Sequence, residues 1–407
     1  MTVPGILRMA AWTASVAGLA AAAAWSVRMG RADAWFRTET VAGTEKALSM
    51  VPDRADYSVR LALLVSDDDP RRAVAALERA ARLDPSDARA WIELGLRYEA
   101  AGDRQPAERA LLRAASESRL YLPRWTLMNF YYRQGDTEQF WRWAKAAVPM
   151  IWGDPAPLFH LCGRVVEDGE LISRLDIRQP EWRAAYLAYL LDAGRPGLAG
   201  PALGRLLADR RQADVPLMLQ ACDRLLGAGQ ASEARAVWDG LAAARLLPGG
   251  ASGGGGLLYN GEFSVSPTGH GFDWRLPAIE GIGTAREDAR GGLRLTFSGG
   301  QPESAEPLFQ FVPVEEATAY ELRFDYRTSG IAAGSGPKWR LDDAVPGLAV
   351  AGGEGLVSEV PAAGRIRFIT PPGCRLLRVS LAWRRRTGAT RIAGYIVLRN
   401  VELRPAP

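Results

Sequence analysis

Trp91-Ile92-Glu93-Leu94-Gly95-Leu96-Arg97-Tyr98, followed past Ala101-Gly102-Asp103 by Ala107, Leu111 and Ala114, is the stretch from which the fold of the first half can be read. The same residue types recur 34 positions away on either side: Tyr57, Trp91 and Trp125 share one slot, Leu64, Tyr98 and Tyr132 a second, Leu61, Gly95 and Asn129 a third. In the second half of the unit Ala73 returns as Ala107, Leu77 as Leu111 and Ala80 as Ala114. A fixed period of this length, with large, small and aromatic slots, marks helical hairpins that each bury an apolar face on the next. Such stacks hold partners on an extended surface and seldom host bond-breaking chemistry.

The punctuation between the slots is helical too. In Asp67-Asp68-Asp69-Pro70 the proline suits a first turn and the aspartates suit the positive end of a helix dipole. Leu83-Asp84-Pro85-Ser86-Asp87 repeats the device, because the residue before proline resists the α region and Ser86 or Asp87 can cap. Trp91, Leu94, Gly95, Tyr98, Gly102, Ala107, Leu111 and Ala114 match the tetratricopeptide pattern slot by slot, with Pro85 at the end of the preceding repeat. The segment resembles tetratricopeptide repeat (TPR) proteins, most closely over 88–121, then over 54–87 and 122–154. The resemblance implies a superhelical stack that recruits a protein partner. Beyond residue 155 the repeat decays but helical pairs continue, with Gly194 and Gly229, and Ala199 and Ala234, each 35 apart. Residues 33–247 are therefore predicted to form one α-solenoid of TPR-like hairpins.

Residues 248–256, Pro248 followed by a glycine-rich run to Gly256, read as a flexible linker. From Leu257 the period changes from helical to alternating. Strands are expected at 293–297, 308–312, 320–326, 365–369, 377–383 and 395–403, with turn residues between them. About eight strands without a helical pattern predict an antiparallel β-sandwich over 257–407. Asn260-Gly261-Glu262-Phe263, Gly271-Phe272-Asp273-Trp274, the strand around Gln310 and the closing Ile396–Leu403 strand resemble carbohydrate-binding modules of the jelly-roll, galactose-binding-like class. The resemblance implies a glycan partner. That class often holds a structural calcium near the first of these segments and the last strand; Ser264 and Asn400 stand near those places, so no cofactor is expected.

At the N-terminus no charged residue occurs from Met9 to Val27, with Arg8 before the run and Arg28 and Arg31 after it. Its length is close to the roughly 20 residues that span a bilayer. Residues 1–30 are expected to be a transmembrane signal anchor in a bacterial inner membrane, with the bulk of the chain periplasmic. The alternative is a signal peptide cleaved after one of the alanines at 20–24 or after Ala34, releasing the chain to the periplasm. Over 407 residues the net charge is only +4, too small to argue for nucleic acid. Lys46, Lys145 and Lys338 are the only lysines, so arginine carries the positive charge, through coding bias or through selection for bidentate anion contacts. Cys162, Cys222 and Cys374 are too far apart for a metal motif.

Signatures of enzyme chemistry are missing. The two histidines, His160 and His270, lie in a helical and a loop context, and there is no nucleophile elbow, phosphate loop, His-Glu-x-x-His or Cys-x-x-Cys motif. Paired carboxylates for glycoside hydrolysis are brought together by a fold, so no pair stands out locally. Sugar rings stack on exposed aromatic faces. Trp274, Trp339 and Trp383 are the candidate platforms, Trp339 first because Lys338 and Arg340 flank it, and Arg385 in Arg384-Arg385-Arg386 is a candidate anion contact. In the solenoid, Tyr131, Trp141 and Trp143 are candidate anchors for a partner protein. The expected function is a non-catalytic, membrane-anchored envelope scaffold, accessory to extracellular polysaccharide assembly or export. The alternatives are a glycan-acting enzyme or its accessory subunit, and a purely structural assembly factor.

Overall fold

The computed structural model describes residues 3–166, 168–248, 256–287, 291–345 and 347–406, with side chains from Trp12 onward except at 168 and 169. Two compact units result: residues 1–165 with 174–176, and residues 166–173 with 177–407.

Among the described residues of the first unit the α-helices are α1 (Val3–Phe36), α2 (Val41–Met50), α3 (Ala55–Val65), α4 (Pro70–Leu83), α5 (Ala88–Ala100), α6 (Arg104–Glu117), α7 (Tyr121–Arg133), α8 (Thr137–Ala147) and α9 (Ala156–Cys162). Their ends follow the sequence signals. Asp69, Asp87 and Asp136 accept the backbone N–H of Arg72, Arg89 and Gln139, satisfying donors a helix start leaves free. Gly95 lets α5 and α6 close together, for a Cβ there would stand 2.6 Å from the Leu111 side chain. Neighbouring repeats are also tied by polar contacts at the period itself: Arg133 donates to Glu99 at 2.6 Å, 34 residues away.

α1 passes without a break through the expected boundary at residues 30–33. Met29, Ala32 and Phe36 form a stripe at helical spacing that packs with Ala47, Val51 and Tyr57. The Phe36 ring stacks on Tyr57 at 4.7 Å, and the Tyr57 hydroxyl donates to Asp33. From Trp12 to Val27 the helix is exposed, including Trp12, Val16, Leu19, Trp25 and Val27. Among the described residues no helix is long and apolar enough to cross a membrane, so the expected transmembrane helix gains no support. Alanine, serine, threonine and tryptophan dominate 12–26 and keep its hydropathy low, and the side chains of Met9 to Ala11 lie outside the described residues.

The second unit opens with α10 (Asp168–Arg174), α11 (Pro180–Asp192), α12 (Gly200–Asp209), α13 (Val215–Gly227) and α14 (Ala231–Ala243). Two antiparallel sheets follow. The five-stranded sheet has the order β1 (Ile282–Arg286), β2 (Leu293–Ser298), β9 (Ala393–Pro405), β4 (Ala319–Ser329), β7 (Ala362–Ile369). The four-stranded sheet has the order β3 (Ser304–Pro313), β8 (Leu376–Arg384), β5 (Lys338–Asp343), β6 (Ala349–Gly352). Phe263, Trp274, Phe297, Phe324, Trp339 and Trp383 fill the space between them with the inward residues of every long strand.

α13 and α14 pack directly on this sandwich. Trp238 meets the rings of Tyr259 and Phe272 at 5.1 and 6.1 Å. Asp223 accepts from the Gly271 backbone at 2.8 Å and from Arg275 at 2.6 Å, and its second oxygen lies 2.6 Å from the His270 ring nitrogen. The linker expected at 248–256 falls largely outside the described residues, at 249–255. Asp223→Ala removes the shared acceptor of Gly271 and Arg275 and is expected to cost about 1–2 kcal/mol. Thermal unfolding of the full chain reads this, and an unchanged melt would mean the contact adds nothing.

The three cysteines are free and buried. Burial pushes the Cys162 and Cys222 thiols up to about 12, the Asp223 charge adding to the effect at Cys222, and pushes Cys374 up to about 11. Since the thiolate is the reactive form, the folded chain at pH 8 should leave Ellman's reagent nearly untouched and react at all three sites once unfolded. Fast labelling of any thiol before unfolding would contradict this packing.

Candidate functional site

The candidate glycan site is built by strand alternation on the solvent face of the five-stranded sheet. Along β4, Tyr320, Leu322 and Phe324 point into the core while Glu321, Arg323, Asp325 and Arg327 point out. β7 sets Arg365 beside Arg323, Arg367 beside Glu321 and Ala363 beside Asp325. On the other flank β9 sets Glu402 beside Arg323 and Arg399 beside Asp325. An irregular register between Arg323 and Asp325, with Asn400 at φ 48°, bends the two strands where they meet. The outward side chain beside Asp325 is only that of Ala363, while Gly364 faces inward, where a Cβ would lie 2.3 Å from the Phe324 ring. A groove of about 600 Å³ opens here, lined by Arg323, Asp325, Arg365, Asn400 and Glu402. It continues at Asp325 into a second hollow of about 380 Å³ beside Tyr326, Arg327, Arg399 and Glu287.

Arginine and carboxylate chemistry dominates this face. Glu287 accepts from Arg294 at 2.6 Å and from Arg399 at 3.0 Å. Glu321 accepts from Arg323 at 2.9 Å and lies 3.5 Å from Arg367. Asn400 donates its amide to Asp325 at 2.7 Å. The guanidinium of Arg294 lies 4.6 Å from the centre of the Tyr395 ring. Burial raises the Glu287 carboxyl, but hydrogen bonds and charge from Arg294 and Arg399 outweigh it and hold the group below the usual carboxylate range. At Glu321 the Arg323 hydrogen bond outweighs burial and, with the charges of Arg323 and Arg367, has the same result. A general acid needs a raised pKa near working pH; these two carboxylates are shifted the opposite way and suit recognition. Among the described residues no group of His, Cys, Asp or Glu side chains could hold a metal ion.

None of the residues singled out as sugar contacts lines this groove. Trp274 and Trp339 are 0% exposed and pack on each other at 6.2 Å. Trp383 is 2% exposed, and its N–H donates to the Ser335 carbonyl at 3.0 Å. The expected stacking platforms are therefore core residues. On β5 the charged neighbours Lys338 and Arg340 project outward, so alternation turns Trp339 inward. Arg385 belongs to the β8–β9 connection, donating to Glu303 and to the Ala389 carbonyl. The groove residues carried a signal of their own, the outward phase of β4 and β9, which became informative only once the strand order was known.

In the first unit a second groove, about 350 Å³, crosses the leading helices of successive hairpins. Val59 and Leu63 of α3, Ile92 of α5 and Leu122 of α7 give it an apolar floor, and Asp56, Arg60, Arg89 and Glu93 rim it. Leu63 and Leu122 are exposed. The anchors expected from sequence lie elsewhere. Tyr131 and Trp141 are buried in the repeat core, the Tyr131 hydroxyl donating to Glu108 at 2.7 Å. Trp143 is half-buried beside the Arg142 guanidinium.

The chain is similar in fold to TPR proteins and to carbohydrate-binding modules. YrrB, described as a TPR protein with an unusual peptide-binding site, aligns at 15% identity over 51% of this chain and 93% of its own, with a TM-score of 0.25. A CBM4 module aligns at 12% identity over 37% of this chain and 99% of its own, with a TM-score of 0.29. TmCBM61, solved with β-1,4-galactotriose, aligns at 15% identity over 37% of this chain and 99% of its own, with a TM-score of 0.26. No protein-family model and no curated protein matches the sequence.

Proposed function

We propose that this protein is a non-catalytic scaffold that holds a glycan on the five-stranded sheet and an extended protein segment along the helical groove. The observation that carries the reading is the continuous polar groove across β9, β4 and β7, where hydroxyl-binding groups (Asp325, Asn400, Glu402) converge beside the short side chain of Ala363. The apolar floor and charged rim of the helical groove suit a peptide with spaced aliphatic anchors. We further read the exposed, uncharged stretch from Trp12 to Val27 as a membrane attachment, and the whole as an accessory of extracellular polysaccharide assembly or export.

The test is affinity electrophoresis of the full chain through gels that contain single soluble polysaccharides. At least one should retard it, and Asp325→Ala should weaken that retardation roughly ten- to hundredfold, the range for hydrogen bonds to a charged group. If no polysaccharide slows the chain, the sheet face is not a glycan site and a protein-assembly scaffold becomes the better reading. Co-sedimentation of the full chain with lipid vesicles tests the attachment in the same way.

A further inference from the structure

The residues lining the two hollows balance, Arg323, Arg327, Arg365 and Arg399 against Glu287, Glu321, Asp325 and Glu402, and Arg294 and Arg367 at the margin give the surrounding face a surplus of positive charge. Glu287 is shared by Arg294 and Arg399, and Glu321 by Arg323 and Arg367, so each carboxylate neutralises one of its two arginines. Arg365, which lines the larger hollow, and Arg327, which lines the smaller, have no carboxylate partner among the described residues. Among the described residues Glu402 pairs with Arg404, whereas Asp325 has no arginine partner and accepts from Asn400. The chain as a whole is nearly neutral at +4, so this is a local arrangement and not a general basicity.

We infer that the glycan held by this face is an acidic polysaccharide, one whose sugars carry carboxylates at regular intervals. The inference rests on the glycan reading above. A guanidinium presents two parallel N–H donors that match a carboxylate in a bidentate fork, and it is less strongly hydrated than an ammonium, so it gives up its water more readily. The shared pairs add a second feature. An incoming carboxylate can take over one arginine of each pair while the other keeps its glutamate, so no buried charge is left alone. A protein ligand with acidic side chains would meet the same arginines, but the low floor at Ala363 and the hydroxyl-binding edge of Asp325, Asn400 and Glu402 favour a flat, hydroxyl-rich chain.

The test compares two forms of one backbone. The full chain is titrated with polygalacturonate and with the same polymer fully methyl-esterified, which removes the charge and keeps the sugar. At low salt the acidic form is expected to bind at least about tenfold more tightly, and the gap should close as salt rises and screening shortens from about 10 Å at 0.1 M to about 3 Å at 1 M. Arg365→Ala combined with Arg327→Ala should remove most of the preference, Arg365→Lys should retain more of it, and Arg375→Ala, an exposed arginine away from the groove, should change nothing. Equal binding of the two forms overturns the inference and leaves the glycan reading intact. Binding of neither overturns the inference and leaves the glycan reading to the polysaccharide gels above. Duplex DNA that binds as tightly as polygalacturonate and competes with it would show general polyanion attraction, which also overturns the inference.

Discussion

Trp339→Ala is expected to destabilise the β-sandwich by about 3–5 kcal/mol, the cost of emptying a large aromatic site in a core. Trp339 is fully buried, packs on Trp274 at 6.2 Å and on Phe324 at 5.6 Å, and has no solvent face to offer a ligand. The loss should appear as an earlier unfolding transition of the sandwich in guanidinium, with any loss of glycan binding following the unfolded fraction. Trp339→Phe should cost less, since it keeps a ring and removes an indole N–H that has no partner among the described residues. A Trp339→Ala variant that stays as stable as the parent while losing affinity would return this residue to the binding surface and contradict the packing described above.

Gly261→Ala is the second large effect. A Cβ at this position would stand 2.0 Å from the Val401 carbonyl oxygen, which is backbone and cannot rotate away. The Val401 N–H also donates to the Gly261 carbonyl at 2.9 Å, so relieving the clash breaks the contact that docks this segment on β9. Its neighbours depend on the same placement: Asn260 accepts the Trp274 indole N–H on its carbonyl at 3.2 Å, and Phe263 is fully buried. The cost is expected at about 3 kcal/mol, the upper end for overpacking, read as a lowered melting temperature of the full chain. Gly102→Ala supplies the contrast. Gly102 has φ 84° but nothing within 4 Å of a Cβ, so only the left-handed backbone is penalised, at about 1–2 kcal/mol. Equal effects at the two positions would show that backbone conformation, and not the Val401 contact, sets the cost at Gly261.

These two positions also show how much could be read in advance. Gly261 belongs to the Asn260–Phe263 segment that sequence alone marked as part of a jelly roll, though its contact with Val401 spans the whole domain. Trp339 was misread because flanking charges look like exposure in a linear string. On a strand they indicate the opposite for the residue between them, since side chains alternate between faces. In the solenoid the aromatic cluster at 125–143 was visible, but Tyr131 and Trp141 turn into the repeat while the open groove is floored by ordinary aliphatics such as Leu63 and Leu122.

Features that depend on neighbours a few residues apart are legible along the chain. The 34-residue period, the aspartate caps and Gly95 set the helical hairpins, and the alternating runs set which residues of β2, β4, β8 and β9 enter the core. Tertiary structure decided the site. Glu287 and Arg399 are 112 residues apart, and Arg323 meets Arg365 and Glu402 because the strand order places β4 between β7 and β9. Periodicity states which face of a strand is wet, but it carries no information on which wet faces lie side by side. That is settled by long-range pairing, and with it the grouping of arginines and carboxylates that makes the groove.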